Sequence, residues 1–369
     1  MTVLLICVAL IALYAFIEAV FALALSGNTS TKSNQPEESF SVVVAARNEE
    51  KNIERCISSL LAQNIQPACI IVVDDHSEDS TAEIVSRMAS EHPVVQLIHC
   101  SNDETGKRAA LLKGVSQSKT ELVLSTDADC FAGSGWASAL ITPLGPGVKM
   151  ITGPVVVSGH GVLWLAEFAE TMYLMSGGAG AAALGMSFQA SGANLAFYKN
   201  DFEAFVESGS GSSFKSGDDV FFLQYIQKMY GRKSVVFSLN SEAVVRTNSH
   251  ASLGAWLRQR ARWVSKAAGY RRFDAFVAGL LMMASFAACI VAAVYMFLVP
   301  DYIFYGLCCV VLKILGDFVL LVSAAMKWDL RVRPLAFILF TPLYPVFLLA
   351  VGLTAIFGGK QSWKGRTIT

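Results

Sequence analysis

Residues 124–133 read LSTDADCFAG. An apolar run, Leu122-Val123-Leu124, gives way to Asp127-Ala128-Asp129. Aspartate is a poor strand residue, and two like charges this close repel unless something positive lies between them. Upstream, short β-branched runs alternate with helical patterns. Strands are predicted at Phe40–Ala46 and at residues 70–73, 94–98 and 122–124. Helices are predicted at 49–62, with Ile53, Ile57, Leu60 and Leu61 on one face, at 80–90 behind Asp79 or Ser80 as cap, and at 107–115. Such alternation means βαβ units around a buried, mainly parallel sheet, an α/β fold.

The acids then gain meaning. Asp74-Asp75 close the second strand and Asp127/Asp129 the fourth. Open parallel sheets bind ligands outside the carboxyl ends of their strands. A single Asp there is ordinarily a turn or cap residue; two acidic pairs at one edge read as a site. A D-x-D pair can present two carboxylates to one hard cation and leave positions open for phosphate. A divalent metal and a diphosphate would answer the repulsion.

The formal charge is zero and 54% of the residues are hydrophobic. No basic excess marks a nucleic-acid footprint. The apolar residues are segregated: residues 3–25, 275–299, 302–326 and 335–357 are each long enough to span a bilayer. The first lacks a basic n-region and a small-residue cleavage site, so a retained anchor is expected. The expected domains are an anchor (1–25), a polar linker (26–39), a catalytic domain (40–274) and a C-terminal membrane region (275–369). Arg258, Arg260, Arg262, Lys266, Arg271 and Arg272 precede the second span, and Lys327, Arg331 and Arg333 follow the third. The excess of Lys and Arg therefore puts the large domain and the 327–333 loop in the cytoplasm. Counting puts the tail, with Lys360, Lys364 and Arg366, outside, unless the segment holding Thr341-Pro342-Leu343-Tyr344-Pro345 is a broken, re-entrant hairpin. The eight cysteines form no C-x-x-C pair, which suits a reduced cytosol and argues against a zinc site.

In order along the chain come VVVAARNEE (42–50), IIVVDDHSEDST (70–81), GKRAALLKGV (106–115), STDAD (125–129), SGANLAFYK (191–199), GDDVFFLQ (217–224), QRARW (259–263) and WKGR (363–366). Each alone is weak. As an ordered set ending in Q-x-x-R-W before an apolar helix, they resemble a membrane-bound family 2 glycosyltransferase with a GT-A fold. The resemblance implies a nucleotide pocket from Ala45, Arg47, Glu49, Asp74, Asp75, Lys107 and Asp127, with Asp75 or its neighbour accepting from uracil. It implies Mn²⁺ or Mg²⁺ on Asp127 and Asp129. Ser191, Gly192, Ala193, Asn194 and Asp218 would line the acceptor end. Asp219 would be the general base, and Gln259, Arg262 and Trp263 would close over the diphosphate and acceptor. The location implied is a bacterial-type inner membrane.

The chemistry suits these residue types. A nucleotide sugar is already activated, so the protein must neutralise the leaving diphosphate, hold the acceptor in line and take its proton. One base and one direct displacement invert the anomeric centre. The expected reaction is transfer from a nucleotide diphosphate sugar, UDP first, to a lipid acceptor. A processive polysaccharide synthase acting on a glycan is the alternative enzyme, and an inactive membrane-anchored nucleotide-binding protein the alternative outside catalysis. Taken singly, Asp218-Asp219 also suit a helix N-terminus, and 259–263 a basic stretch at a membrane surface. His76 is expected in a loop. His250, upstream of Gln259, is a structural histidine by default and a metal ligand at the outside. Residues 162–175 place Leu165, Phe168, Met172 and Met175 on one face, with Glu167 and Glu170 elsewhere. A core helix is the default there and an interfacial helix is expected. The glycine-rich 177–185 has no dinucleotide spacing and serves close packing or a turn. Lys313 and Asp317, four apart, are expected to pair inward as a clamp with Glu18.

Overall fold

The computed structural model describes residues 1–27, 38–211, 218–265, 273–357, 361–363 and 366–368 of the 369-residue chain. Most of the expected linker (28–37), Gly217, Lys266, Arg271, Arg272, Lys360 and Lys364 lie outside the described residues.

Strands β1 (Phe40–Ala46), β2 (Cys69–Asp74), β3 (Val95–His99) and β4 (Leu122–Asp127) pair in parallel in the order β3-β2-β1-β4. Alternate side chains go to opposite faces. On one, Val42, Val44, Ile70 and Val72 pack with Ile53, Ile57 and Leu60 of α2 (Ile53–Leu61) and with Val85 and Met88 of α3 (Thr81–Glu91). On the other, Val43, Ile71, Val73 and Val123 meet Ala110, Leu111 and Val115 of α4 (Lys107–Gln117). Burial on both faces is why these strands read as unbroken apolar runs. Each fully buried Val or Ile contributes roughly 1.5–3 kcal/mol.

The two largest boundary differences from expectation have structural causes. β4 runs on to Asp127 because its ladder with β1 continues: Ala45 lies opposite Asp127 and Ala46 opposite Asp74. Register thus sets the two acids on either side of β1 at the carboxyl edge. Helix α2 starts at Ile53 rather than residue 49. The Glu49 N–H donates to Thr81 Oγ1 (2.7 Å) and the Glu50 N–H to Asp79 Oδ2 (3.1 Å), so this segment is held as a loop against 79–81.

Beyond β4 the seven-stranded sheet is completed by β8 (Leu195–Tyr198), antiparallel to β4, then β6 (Met150–Thr152) and β9 (Val235–Phe237). The Asp127–Asp129 turn leads directly into β5 (Cys130–Ala132), which joins β10 (Val245–Asn248) and β7 (Val155–Ser158) in a second, three-stranded sheet.

Asn194 ties the two sheets, and this corrects its expected acceptor role. Its side chain is fully buried. The amide donates to Pro154 O and Ala243 O (2.8 Å each) and accepts from Trp136 Nε1 (2.9 Å), Trp136 opening α5 (Trp136–Ile141). Both N–H donors are used, so none remains for a ligand.

Among the described residues, four helices are long and apolar enough to cross a membrane: α1 (Thr2–Gly27), the 276–298 part of α10 (Phe273–Leu298), α11 (Ile303–Lys327) and α12 (Pro334–Phe357). α12 is continuous through Pro342 and Pro345, which corrects the broken-hairpin alternative. Lost proline hydrogen bonds are tolerated in such helices where neighbours resatisfy the backbone. The Lys313–Asp317 pair forms as expected (2.6 and 2.8 Å), and Tyr14 donates to Asp317 (2.6 Å) while sharing a hydrogen bond with Tyr173 (2.6 Å). Glu18, one turn along α1 from Tyr14, is buried as well.

Tyr173 belongs to α6 (Gly161–Ala183), which absorbs both the 162–175 stretch and most of the glycine-rich segment. Its Ala169, Met172, Met175 and Ala179 pack with Ala22, Leu25, Leu320, Trp328 and Phe337 of the membrane-helix region. Glu167 and Glu170 are also buried, so α6 has no solvated acidic face. The core-helix default holds over the buried part of α6. Gly180 serves close packing: a Cβ there would lie 2.5 Å from the Phe21 Cβ of α1.

Two substitutions test this packing. Gly180→Ala is expected to destabilise the detergent-solubilised protein by about 1–3 kcal/mol. Gly177→Ala, whose Cβ would meet nothing within 4 Å, should be neutral or mildly stabilising. Asn194→Ala should cost roughly 2–3 kcal/mol, because it strands the buried Trp136 N–H and two carbonyls. A normal unfolding midpoint with a raised acceptor KM would instead restore Asn194 to the acceptor site.

Candidate functional site

The carboxyl edge of the sheet gathers most of the expected charged residues. Gly106 precedes α4 at φ 93°, a conformation that glycine adopts without a Cβ penalty. Its N–H donates to Asp75 Oδ2 (2.9 Å). Lys107 follows as the first residue of α4, and its Nζ donates to Asp127 Oδ1. Burial pushes the Lys107 ammonium down, but Asp127, with Asp219 and Asp129 behind it, more than offsets this, so Lys107 titrates above its ordinary value. The opening repulsion is therefore met by a lysine from the neighbouring helix.

Asp219 lies in the first turn of α8 (Asp218–Tyr230), where the helix dipole favours an acid. Its Oδ2 accepts from the Gly192 N–H (3.0 Å) and its Oδ1 from the Val220 N–H (2.9 Å). Ser125 Oγ of β4 donates to the Gly192 carbonyl (3.0 Å), so the Gly192 backbone is fixed from both sides. A Cβ there would lie 3.2 Å from Lys107 Nζ and 3.9 Å from Asp219 Oδ2. Lys107, Ser125, Gly192 and Asp219 line a pocket backed by Leu195, Phe197, Phe222 and, from α7 (Lys199–Glu207), Phe202.

Gln259, Arg262 and Trp263 stand on α9 (Leu253–Val264). Burial, then the nearby Arg260, pushes the Arg262 guanidinium down, while Asp127 opposes this. Arg262 thus lies within the field of Asp127 and joins the site from the far end of the sequence. Trp263 is 43% exposed.

Other expected residues turn elsewhere. Asp75 is fully buried, with Oδ1 3.1 Å from His76 Nδ1 and Oδ2 on Gly106. Asp74 accepts from Ser77 N (3.3 Å), and Arg47 donates to the carbonyls of Asp75 (2.7 Å) and His76 (2.6 Å). Glu49 is buried and accepts from Asn52 Nδ2 (2.8 Å). Arg47 and Glu49 thus shape the loops beside β1 and β2, while Ala45 lies in the β1 ladder. Asp218, expected with the acceptor, pairs with Arg108 at 3.2 Å. The Ser191 N–H is held by Thr152 Oγ1 (3.4 Å), and Ala193 is buried in the core. His76 is a loop residue with φ 56°, as expected. His250 is structural: Glu167 accepts from its backbone N–H (3.1 Å), and Glu167 Oε2 lies 3.0 Å from its Nδ1.

Sequence reasoning passed over Glu170, Arg260 and Trp256. Arg260 Nε donates to both Glu170 oxygens (2.8 and 2.7 Å), and Trp256 Nε1 donates to Oε2 (3.0 Å). The available signal was two acids, three residues apart, inside the apolar 161–183 stretch.

Asp127 and Asp129 suit a divalent cation in donor chemistry, both offering hard oxygens. Among the described residues no group of three His, Cys, Asp or Glu converges on one point. A cation here would complete its coordination with ligand or water oxygens. Burial and the two aspartates push the neighbouring Cys130 thiol well up.

Residues 41–178 match the family model described as Glycosyl transferase family 2. A 4,4'-diaponeurosporenoate glycosyltransferase of Staphylococcus haemolyticus is 35% identical over 98 residues, which is 27% of this chain and 26% of the relative. An N-acetylglucosaminyltransferase of Bradyrhizobium diazoefficiens is 25% identical over 236 residues, 60% of this chain and 47% of the relative. The chain therefore spans from about a quarter to about half the length of these curated relatives. Among solved structures, a mannosyltransferase from Pyrobaculum calidifontis in complex with GDP-Man and Mn2+ superposes with a TM-score of 0.59 at 19% identity, covering 97% of this chain and 100% of that one. Residues 41–178 are a family 2 glycosyltransferase domain, and the sheet that carries it has the GT-A fold, with one N-terminal and three C-terminal apolar helices flanking it.

Proposed function

We propose that this chain moves a sugar from a nucleoside diphosphate donor to a membrane lipid, with inversion at the anomeric carbon. The observation that carries the reading is that Lys107 reaches Asp127 and lines one pocket with Asp219 at the sheet edge. Asp127 and Asp129 would hold Mn²⁺ or Mg²⁺ together with the donor diphosphate. A bound divalent cation supplies charge neutralisation as the diphosphate leaves. Lys107 and Arg262 add fixed positive charge at the same place, where little reorganisation is needed. Asp219, held by two backbone N–H groups, takes the proton of the acceptor hydroxyl. Gln259 and Trp263 would cover donor and acceptor, and the Gly192 backbone lets the sugar approach.

The apolar helices and the diaponeurosporenoate in one relative's name support a lipid acceptor. Uridine is the expected donor base, and the GDP-Man complex of the mannosyltransferase keeps guanosine in the panel. The basic residues Lys327, Arg331 and Arg333 beside α11 support a cytoplasmic catalytic domain at an inner membrane.

The test uses full-length protein in proteoliposomes with labelled UDP- and GDP-sugars and Mn²⁺, separating lipid from polymer. One added sugar on an extractable lipid is expected; a long chain would favour the synthase. Asp219→Asn should lower kcat by at least about 100-fold while nucleotide binding persists. Normal turnover in that variant would remove Asp219 as the base.

A further inference from the structure

The geometry points to Glu170 of α6 as a positioning residue that aims the Q-x-x-R-W helix at the donor site, acting through Arg260. This rests on the proposed role of Gln259, Arg262 and Trp263. Arg260 is an unassigned position inside that motif, and it is buried. Its Nε is held by both oxygens of Glu170, itself 2% exposed, and Glu170 also takes the Trp256 N–H from the preceding turn of α9. Arg260 then organises its neighbours. Its Nη1 donates to Gln259 Oε1, and its guanidinium lies 4.1 Å from the centre of the Trp263 ring. Trp256 is pinned from the other side by Phe347 of α12, with ring centres 4.1 Å apart.

Helix geometry gives this contact its consequence. Residues 260 and 262 are about 200° apart around α9. Fixing Arg260 on α6 therefore turns Arg262 to the opposite side of α9. One turn of α6 earlier, Glu167 holds the His250 N–H and ring just ahead of the Ser252 cap. Two buried acids on one face of α6 thus grip α9 at its entry and at its middle. A buried ion pair that served stability alone could be exchanged for a neutral pair at little cost. A pair that sets the direction of α9 could not be exchanged without loss of turnover.

The experiment compares full-length protein in nanodiscs with Glu170→Gln, Arg260→Gln and the double variant. Steady-state transfer, thermal midpoint and amide hydrogen exchange over 253–264 are measured for each. Glu170→Gln is expected to lower kcat by about 10- to 100-fold with donor KM within about threefold, as misplacement of a transition-state group does. It should also speed exchange over 253–264 relative to β1–β4. The double variant should regain the midpoint but not kcat. Retention of kcat within about twofold in Glu170→Gln, or recovery of kcat with the midpoint in the double variant, would overturn the inference. If the unmodified protein transfers no sugar, the functional reading fails. The exchange arm still decides the clamp, because unchanged exchange over 253–264 in Glu170→Gln sinks it.

Discussion

Carboxylates crowded at the carboxyl edge of a parallel sheet set the constraint that the surrounding structure answers. The β1 ladders fix Asp74 and Asp127 on either side of one strand, and the turn after β4 adds Asp129. Asp219 arrives from the start of α8 through the Gly192 amide. Such charges are tolerable at short range only beside positive charge. Lys107 supplies it from α4 and Arg262 from α9, two elements far apart in sequence. A cation-bound diphosphate would enter the same field and share these partners.

The second constraint is mechanical. The sheet and the set of apolar helices must hold a fixed relation if the proposed lipid acceptor is to meet the donor. Helix α6 supplies the connection. It packs on α1 through Gly180, reaches the Lys313–Asp317 pair through Tyr173 and Tyr14, and grips α9 through Glu167 and Glu170. Polar groups buried in a bilayer are costly unless paired, and here the pairs join helices from different parts of the chain.

The sheet was legible because burial on both faces writes continuous β-branched runs, and because D-x-D and G-D-D mark strand ends and a helix start. The apolar helices were legible from length alone. What the sequence hid depends on long-range pairing. The extension of β4 to Asp127 comes from its ladder with β1. Asn194 looks like a ligand-binding amide within SGAN, yet its partners at 136, 154 and 243 belong to three other segments. Arg260 reads as one more surface cation until Glu170 is found beneath it. Asp218 and Asp219 are neighbours with the same side chain, but one turns to Arg108 and the other to Gly192.

The central claim is that Asp127 and Asp129 receive a diphosphate through a divalent cation. Calorimetric titration of UDP and GDP into the full-length protein, with Mn²⁺ and again in excess chelator, addresses it directly. The account predicts that one nucleoside diphosphate binds with Mn²⁺ and weakens by at least about tenfold on chelation, because the phosphates then face bare carboxylates. Equal affinity with and without the cation would contradict it.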